Sequence, residues 1–446
     1  MKPSSSAPRA FAVACCLLVA GCATYQSLPL AGAPTRAADL GALNHDGVAL
    51  GAPLTLAAVA RLTIENNPDL LTARAQIDVA HAQLLQASLP PNPQVTGAIL
   101  PLVAGYGYTV AWNSGIGENL TQLITLGARR ASAEASAQQV DAQVLWQEWQ
   151  TIGQARLLAI DLIQGARLLR LLTANRDLLA GRTGRSKRAL ARGDATIATV
   201  APDLAALQTA QTALDDATRQ QLSRRHQLAA LLGLRPDAAL PLADKADLPP
   251  INAAAVMAML PTLADRRPDL VALQYGYRAE DAKLRAAILS QFPNLVFGAT
   301  GGSDNANVRN AGPQVSLDLP VFDRNQGNIA IESTTRQQLH DEYAARVAGA
   351  DGQVRAMLSE IAQLRRQREL AARDLGRSAS MAARGEEALR AGNLDERSYV
   401  ELVAARLTHE QEIVTLDQSL LEQQVAIATL IGAGLPSLAT PEKEIH

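Results

Sequence analysis

The chain has 446 residues, 41 of them basic and 43 acidic, a net charge of −2, and only 3% of it is aromatic. That balance offers no basic field for nucleic acid. Its three cysteines, Cys15, Cys16 and Cys22, all lie near the amino terminus. The rest of the chain has none for a disulfide or a cysteine metal cluster, so it must hold together by packing.

The amino terminus reads MKPSSSAPRAFAVACCLLVAGCATYQ, with Lys2 and Arg9 ahead of an eleven-residue apolar run from Ala10 to Ala20. This run is shorter than the ~20 residues that span a bilayer, but it suits the core of a secretory signal. Val19-Ala20-Gly21-Cys22 resembles a bacterial lipobox, which predicts removal of residues 1–21 and a lipid on Cys22. By the same resemblance, Ala23 rather than Asp after the anchor implies sorting to the outer membrane. An ordinary signal cut elsewhere is the alternative. Residues 22–53, rich in Ala, Gly and Pro without a sustained period, read as a lipid-anchored, extended lead.

From residue 54 the chain repeats itself. Pro68-Asp69-Leu70 returns as Pro268-Asp269-Leu270, and 8 of the 26 positions from Pro68 to Pro93 are identical to those 200 later. The offset then becomes 199. "ALARGD" from Ala189 lies over "ALRAGN" from Ala388, "LLG" ending at Gly233 lies over "LIG" ending at Gly432, and ten of the 45 positions from 189 to 233 are identical. These matches predict a tandem duplication, with repeats at 54–234 and 262–433, a linker at 235–261 and a tail at 434–446.

Each repeat predicts four parts in one order. A helix comes first, over 54–89 and 262–291. A Gly-rich β-hairpin follows, over 94–124 and 294–321. Next is a long stretch without proline, over 128–191 and 328–391, and then a return helix over 195–233 and 394–432. About 64 residues at ~1.5 Å each make a rod near ~95 Å, longer than any compact globule needs. Val200, Leu204, Leu207, Leu214, Leu228 and Leu232 trace one coiled-coil seam on the first return helix. The second return helix carries two stripes: Tyr399, Val403, Leu407, Val414 and Leu421 beside Leu402, Ile413, Leu416, Leu420 and Ile427. Two stripes predict a neighbour on each side.

The hairpins are poor in charge, holding only Glu118 in one and Asp304, Arg309 and Asp318 in the other. Two hairpins make four strands, fewer than the roughly eight of the smallest membrane barrels, and an open edge in lipid leaves backbone groups unpaired. Strands in lipid would therefore need an oligomer sharing one barrel. Tyr106, Tyr108 and Trp112 suit a membrane interface. A coiled-coil lipoprotein tethering membrane to cell wall competes with this reading, but a rod has no use for charge-poor hairpins at matching places.

These residues resemble outer-membrane efflux proteins of the TolC type, over nearly the whole chain after the leader. The resemblance is carried by the lipobox, by "LTLAAVARLTIENNPDLLTARAQIDVAHAQLLQASLPPNPQ" from Leu54, by "LTQLITLGARR" from Leu120, by "LPVFDRNQGNIA" from Leu319 and by the two glycine turns. It implies a mainly α fold with a small β part. In such proteins a homotrimer forms an α-barrel of long coiled-coil helices, continued by a shared 12-stranded transmembrane β-barrel in outer-membrane lipid. It also implies a passive conduit reaching into the periplasm, docked to a periplasmic adaptor (membrane fusion protein) and an inner-membrane RND pump. "LPVFDRNQGNI" is similar to the branch serving cobalt-zinc-cadmium or copper efflux; multidrug export is the alternative.

Gly193 and Gly392 read as tight reversals needing positive φ. By resemblance the tips Arg192-Gly193-Asp194 and Ala391-Gly392-Asn393 dock the adaptor. The first tip is basic (Arg182, Arg185, Lys187, Arg188, Arg192) and the second acidic (Glu386, Glu387, Asp395, Glu396, Glu401), a pattern expected to hold that end closed by ion pairs. In the family, carboxylates six and nine residues beyond the second glycine ring the narrowest point. Here those positions are Ser398 and Glu401, so Glu401 is the expected periplasmic gate residue, with Asp395 and Glu396 as substitutes. No catalytic set is expected. The six histidines show no spacing of three or four, so no helical metal-ligand pair exists. "GRTGRSK" from Gly181 lacks the second glycine of a phosphate loop. No cofactor is expected beyond the lipid on Cys22, and no nucleic acid as partner.

Overall fold

The computed structural model describes residues 25–30, 32 and 36–434; the expected signal, Cys22 and most of the tail lie outside them. Residues 25–30 have no regular secondary structure. The body of the chain starts at Ala37. Its first repeat contains α1 (Leu56–Asn66), α2 (Pro68–Ser88), β1 (Gln94–Leu100), β2 (Ala111–Asn119), α3 (Leu120–Ala191) and α4 (Ile197–Leu231). The second, after short helices at Ala253–Met259 and Leu263–Arg266, contains α5 (Pro268–Leu289), β3 (Leu295–Ser303), β4 (Arg309–Leu317), α6 (Gln326–Arg390) and α7 (Glu396–Leu430).

Local chemistry sets the breaks. The single helix expected over 54–89 is two helices, because Asn67 leaves the helical region and caps α2, its side chain accepting from the Leu70 N–H, with Pro68 at the first helical position. The first hairpin ends at Asn119 rather than 124. There the Asn119 side chain caps α3 by accepting from the Gln122 N–H, and the long helix starts eight residues earlier than expected. At 72 and 65 residues, α3 and α6 run about 110 and 100 Å at ~1.5 Å per residue.

Four glycines with positive φ close the lower helices: Gly193 (82°), Gly392 (74°), Gly233 (73°) and Gly432 (63°). Each sits in the same double hydrogen-bond cap, as when the Asp194 N–H reaches the Ala189 carbonyl at 2.9 Å and the Asn393 N–H reaches Ala388 at 2.8 Å. The duplication is thus repeated in backbone conformation.

The helices form a single layer. In it, α2 and α4 lie along opposite halves of α3, α5 and α7 lie on its other side, and α6 lies beyond α5 and α7. The four strands form one antiparallel sheet in the order β1-β2-β3-β4. Since α2 leads into β1, β2 into α3, α5 into β3 and β4 into α6, sheet and helix layer share one lateral order and end at the same two sides. The two largest apolar clusters sit at the waist. One joins Leu40, Leu54, Leu62, Ile160, Leu228 and Leu234; the other joins Leu263, Leu270, Val354, Leu420 and Ile427.

Candidate functional site

Two regions hold the chemistry: the sheet at one end and the helix tips at the other. Opposed residues of an antiparallel pair share a face, so the strand register sorts the sheet. One face carries Val95, Ile99, Trp112, Ile116, Leu295, Phe297, Ala299, Val315 and Leu317. The other is mostly polar or glycine, with Gln94, Thr96, Asn113, Asn119, Thr300, Asn310, Gln314 and Ser316, Gly115, Gly117, Gly298, Gly302 and Gly312, and only Ala98, Leu100, Ala111 and Val296 apolar. The apolar face is open, Val95 being 78% and Ile99 76% exposed. Its charges, Glu118 and Arg309, stand near strand ends. Glycine on the polar face permits close strands: a Cβ on Gly298 would lie 2.1 Å from the Ile116 carbonyl oxygen. Among the described residues no helix is long and apolar enough to cross a membrane.

The tips are tied by a charged network across three helices. Asp203 on α4 is 3% exposed. Its Oδ1 meets Arg182 Nη2 of α3 at 2.6 Å and Arg397 Nη2 of α7 at 3.3 Å. The Ser186 hydroxyl donates to its Oδ2 at 2.5 Å, and the Thr183 hydroxyl to its backbone carbonyl at 3.0 Å. Burial alone would push this carboxyl up, but the bonds from Ser186 and Arg182, with the Arg397 charge, hold it below the ordinary carboxylate value.

Glu401 is mostly exposed and reaches Arg182 at 3.5 Å and Arg397 at 3.7 Å, while Glu396 meets Arg185 at 2.5 Å. First-repeat arginines and second-repeat carboxylates therefore pair inside one chain. Asp395 has another employment: it caps α7, accepting from the Ser398 N–H at 2.9 Å and hydroxyl at 2.6 Å, bonds that lower its pKa. At the reversals Arg192 pairs with Asp194 at 3.0 Å, and open space surrounds Gly193 and Gly392.

The expected seam on α4 needs correction. Leu204 is 40% exposed, and the inward line runs through buried Val200, Asp203 and Ala210 with Leu207 and Leu214 half-buried between and beyond them. The heptad spacing was legible, but polarity favoured Leu204 over an acid whose arginine partners come from α3 and α7. Asp203, Ser186, Thr183 and Arg397 are the residues that sequence reasoning missed.

Midway along the helices, Gln418 of α7 bridges Asp161 of α3 and Glu422, donating at 2.8 Å to each, while Arg224 of α4 meets Asp161 at 3.2 Å. Burial, then the hydrogen bond with Asp161, raises the Glu422 pKa. Among the described residues no group of His, Cys, Asp and Glu is arranged to hold a metal ion.

The profile of the outer membrane efflux protein family matches residues 259–433, the whole second repeat. The second repeat is therefore similar to that family. Members of that family are channel proteins rather than enzymes. The chain is 28% identical over 181 residues to outer membrane protein OprJ of Pseudomonas aeruginosa, covering 38% of this chain and 37% of OprJ. Over 304 residues it is 25% identical to the cobalt-zinc-cadmium resistance protein CzcC of Cupriavidus metallidurans, covering 66% of this chain and 69% of CzcC. The fold matches that of the Campylobacter jejuni CmeC outer membrane channel, with a TM-score of 0.69 at 15% identity over 93% of this chain and 95% of CmeC.

Proposed function

We propose that three copies of this chain close a twelve-stranded barrel in the outer membrane, continued by a twelve-helix tube, as the passive channel of a tripartite efflux system. The observation that carries this reading is the sheet: one face apolar and open, the other polar, with both edge strands unpaired at the sides where the helix layer also ends. An unpaired strand edge is untenable in lipid, and a heterologous edge-to-edge contact that closes on itself removes it. Cys22 carries the lipid anchor. The tips at Arg192-Gly193-Asp194 and Ala391-Gly392-Asn393 dock a periplasmic adaptor, which couples the channel to an inner-membrane RND pump supplying the energy.

Glu401 and Glu396 form the gate with their arginines, and Asp395 holds the start of α7. Outward release then requires an adaptor to replace the pairs that Asp203 gathers. The cargo in this reading is heavy-metal cations. The resemblance of "LPVFDRNQGNI" and the name of CzcC support it, and a ring of Glu401 carboxylates would favour cations. Accumulation of zinc, cobalt, cadmium, copper and a drug-like dye, in cells lacking the protein and in cells given it back, tests it. Metal retention alone is the expected result. Dye retention alone would move the channel to multidrug export, and no change in a strain without redundant channels would overturn the conduit.

A further inference from the structure

Above the waist, α3, α5 and α6 line a groove of about 990 Å³. Small residues give it depth: Gly127, Ala128, Ala131 and Ala135 on α3, and Ala282 on α5. Tyr277, His340 and Tyr343 supply aromatic walls, with the Tyr277 and His340 ring centroids 6.5 Å apart. Leu273 lies at the end nearer the waist, and Arg278 and Arg285 lie nearer the sheet. Arg285 is 65% exposed and meets Asp281 through Nε at 3.0 Å, while Arg336 meets the same carboxylate at 2.8 Å. Arg278, Arg285 and Arg336 outnumber Asp281 and Glu134 here, so this end of the groove is net basic.

The chain leaves α7 at the mouth of this groove. Ala433 and Tyr343 belong to one apolar cluster. The Trp149 N–H donates to the Thr429 carbonyl at 3.1 Å, and a Cβ on Gly434 would lie 4.0 Å from the Trp149 ring. Along α3 from Trp149 towards the sheet, Gln138, Ala131 and Gly127 return after about three, five and six turns, so the groove opens on the face of α3 that carries Trp149.

Residues 435–446 follow, reading LPSLATPEKEIH. Pro436 and Pro441 favour extended chain at ~3.1 Å per residue, which puts Leu438 ~12 Å, Glu442 ~25 Å and Glu444 ~31 Å from Gly434. Gly276 of α5 lies against Gln139 of α3. At ~1.5 Å per residue from the level of Trp149, Leu273 is then ~10 Å away, Arg278 ~18 Å and Arg285 ~28 Å. Glu442-Lys443-Glu444 is net acidic where the groove is net basic.

We propose that residues 435–444 lie in this groove as a strap across α3, α5 and α6. Leu438 packs on Leu273 and Tyr343, and the carboxylates of Glu442 and Glu444 meet Arg278 and Arg285. The strap ties the two repeats together above the waist. It uses contacts within one chain only, and so goes beyond the channel reading.

Trypsin tests it on the full-length chain in detergent, because Lys443 is the one basic residue in 435–446. Cleavage that depends on release tracks the released population, so the cut after Lys443 should be at least ~10-fold slower than in the free peptide 435–446. Arg278→Ala with Arg285→Ala should restore the peptide rate. Glu442→Gln with Glu444→Gln, compared with its own free peptide, should lose about 5-fold of the protection, the scale of two exposed ion pairs. p-Benzoylphenylalanine in place of Ala131 should crosslink to residues 435–446 at the mass of a single chain. The same group in place of Ala133, on the other face of α3, should not. Cleavage of the wild type at the peptide rate overturns the strap, and an oligomer cleaved at that rate leaves the shared barrel standing. A crosslink from position 131 to a second chain, another protein or lipid also overturns it, since the groove then holds a different occupant.

Discussion

Replacing Asp203 by asparagine keeps the shape of the side chain and removes the charge at the centre of the tip network. Breaking a buried ion pair by removing one partner costs about 3–5 kcal/mol. The figure here should be smaller, because Arg182 retains Glu401 at 3.5 Å and the Arg397 side chain is 43% exposed and hydrates. About 2 kcal/mol is the expected loss, which is a ~30-fold rise in the local opening constant at ~1.4 kcal/mol per decade. Hydrogen exchange reads it directly, because the tips open as a local unit while the waist holds. Peptides covering 180–206 and 396–404 should exchange ~30-fold faster than in the wild type, and peptides from the buried waist segment of α3, 155–163, should not change. Wild-type rates at the tips, or equal acceleration at the waist, would refute the role given to Asp203. The sign with pH is also fixed. Its pKa is depressed in the fold, so the contribution is present at and above the ordinary carboxylate value and is lost as pH falls through the depressed one. Wild-type tips should therefore loosen only in strong acid, and the asparagine variant should lack that transition.

Three other outcomes follow from the same geometry. Gly193→Ala meets open space but keeps a φ of 82°, so left-handed strain of about 1–2 kcal/mol should speed exchange at the first tip, and Gly193→Asn should do so less. Glu422→Gln should raise the melting temperature near neutral pH. Burial and then the hydrogen bond with Asp161 raise its pKa, so wild-type stability falls as pH rises from the ordinary carboxylate value through the raised one; a melting series across that rise should be flatter for the variant. Gly298→Val forces a side chain into the Ile116 carbonyl oxygen, so the heat-sensitive gel shift of an assembled barrel should disappear.

The long rods, the two hairpins and the glycine reversals were legible because each leaves a local mark: absence of proline, absence of charge, and glycine where φ must be positive. The two-stripe pattern of the second return helix corresponds to a helix with neighbours on both sides, α3 and α6, and the single seam of the first to a helix whose main neighbour is α3. What escaped was decided at a distance. "LTQLITLG" after Asn119 is rich in β-branched residues and reads as strand, yet it is helical, capped by Asn119 and held to the start of β3, where the Thr121 hydroxyl meets Pro293 and Leu295. Asp203 escaped for the same reason, since nothing near it in the chain announces Arg182 or Arg397. The tip carboxylates were found by resemblance, but that Asp395 serves α7 as a cap follows only from its bonds to Ser398.

The unlike charge of the two tips bears on why the gene was fused at all. A ring of six identical single repeats, joined head to tail, would need both the basic and the acidic partner of every contact on each repeat. Two repeats in one chain can differ, and here the first carries Arg182 and Arg185 and the second Glu396 and Glu401. In the proposed ring, this division of labour between the halves would give every tip a neighbour of the opposite kind.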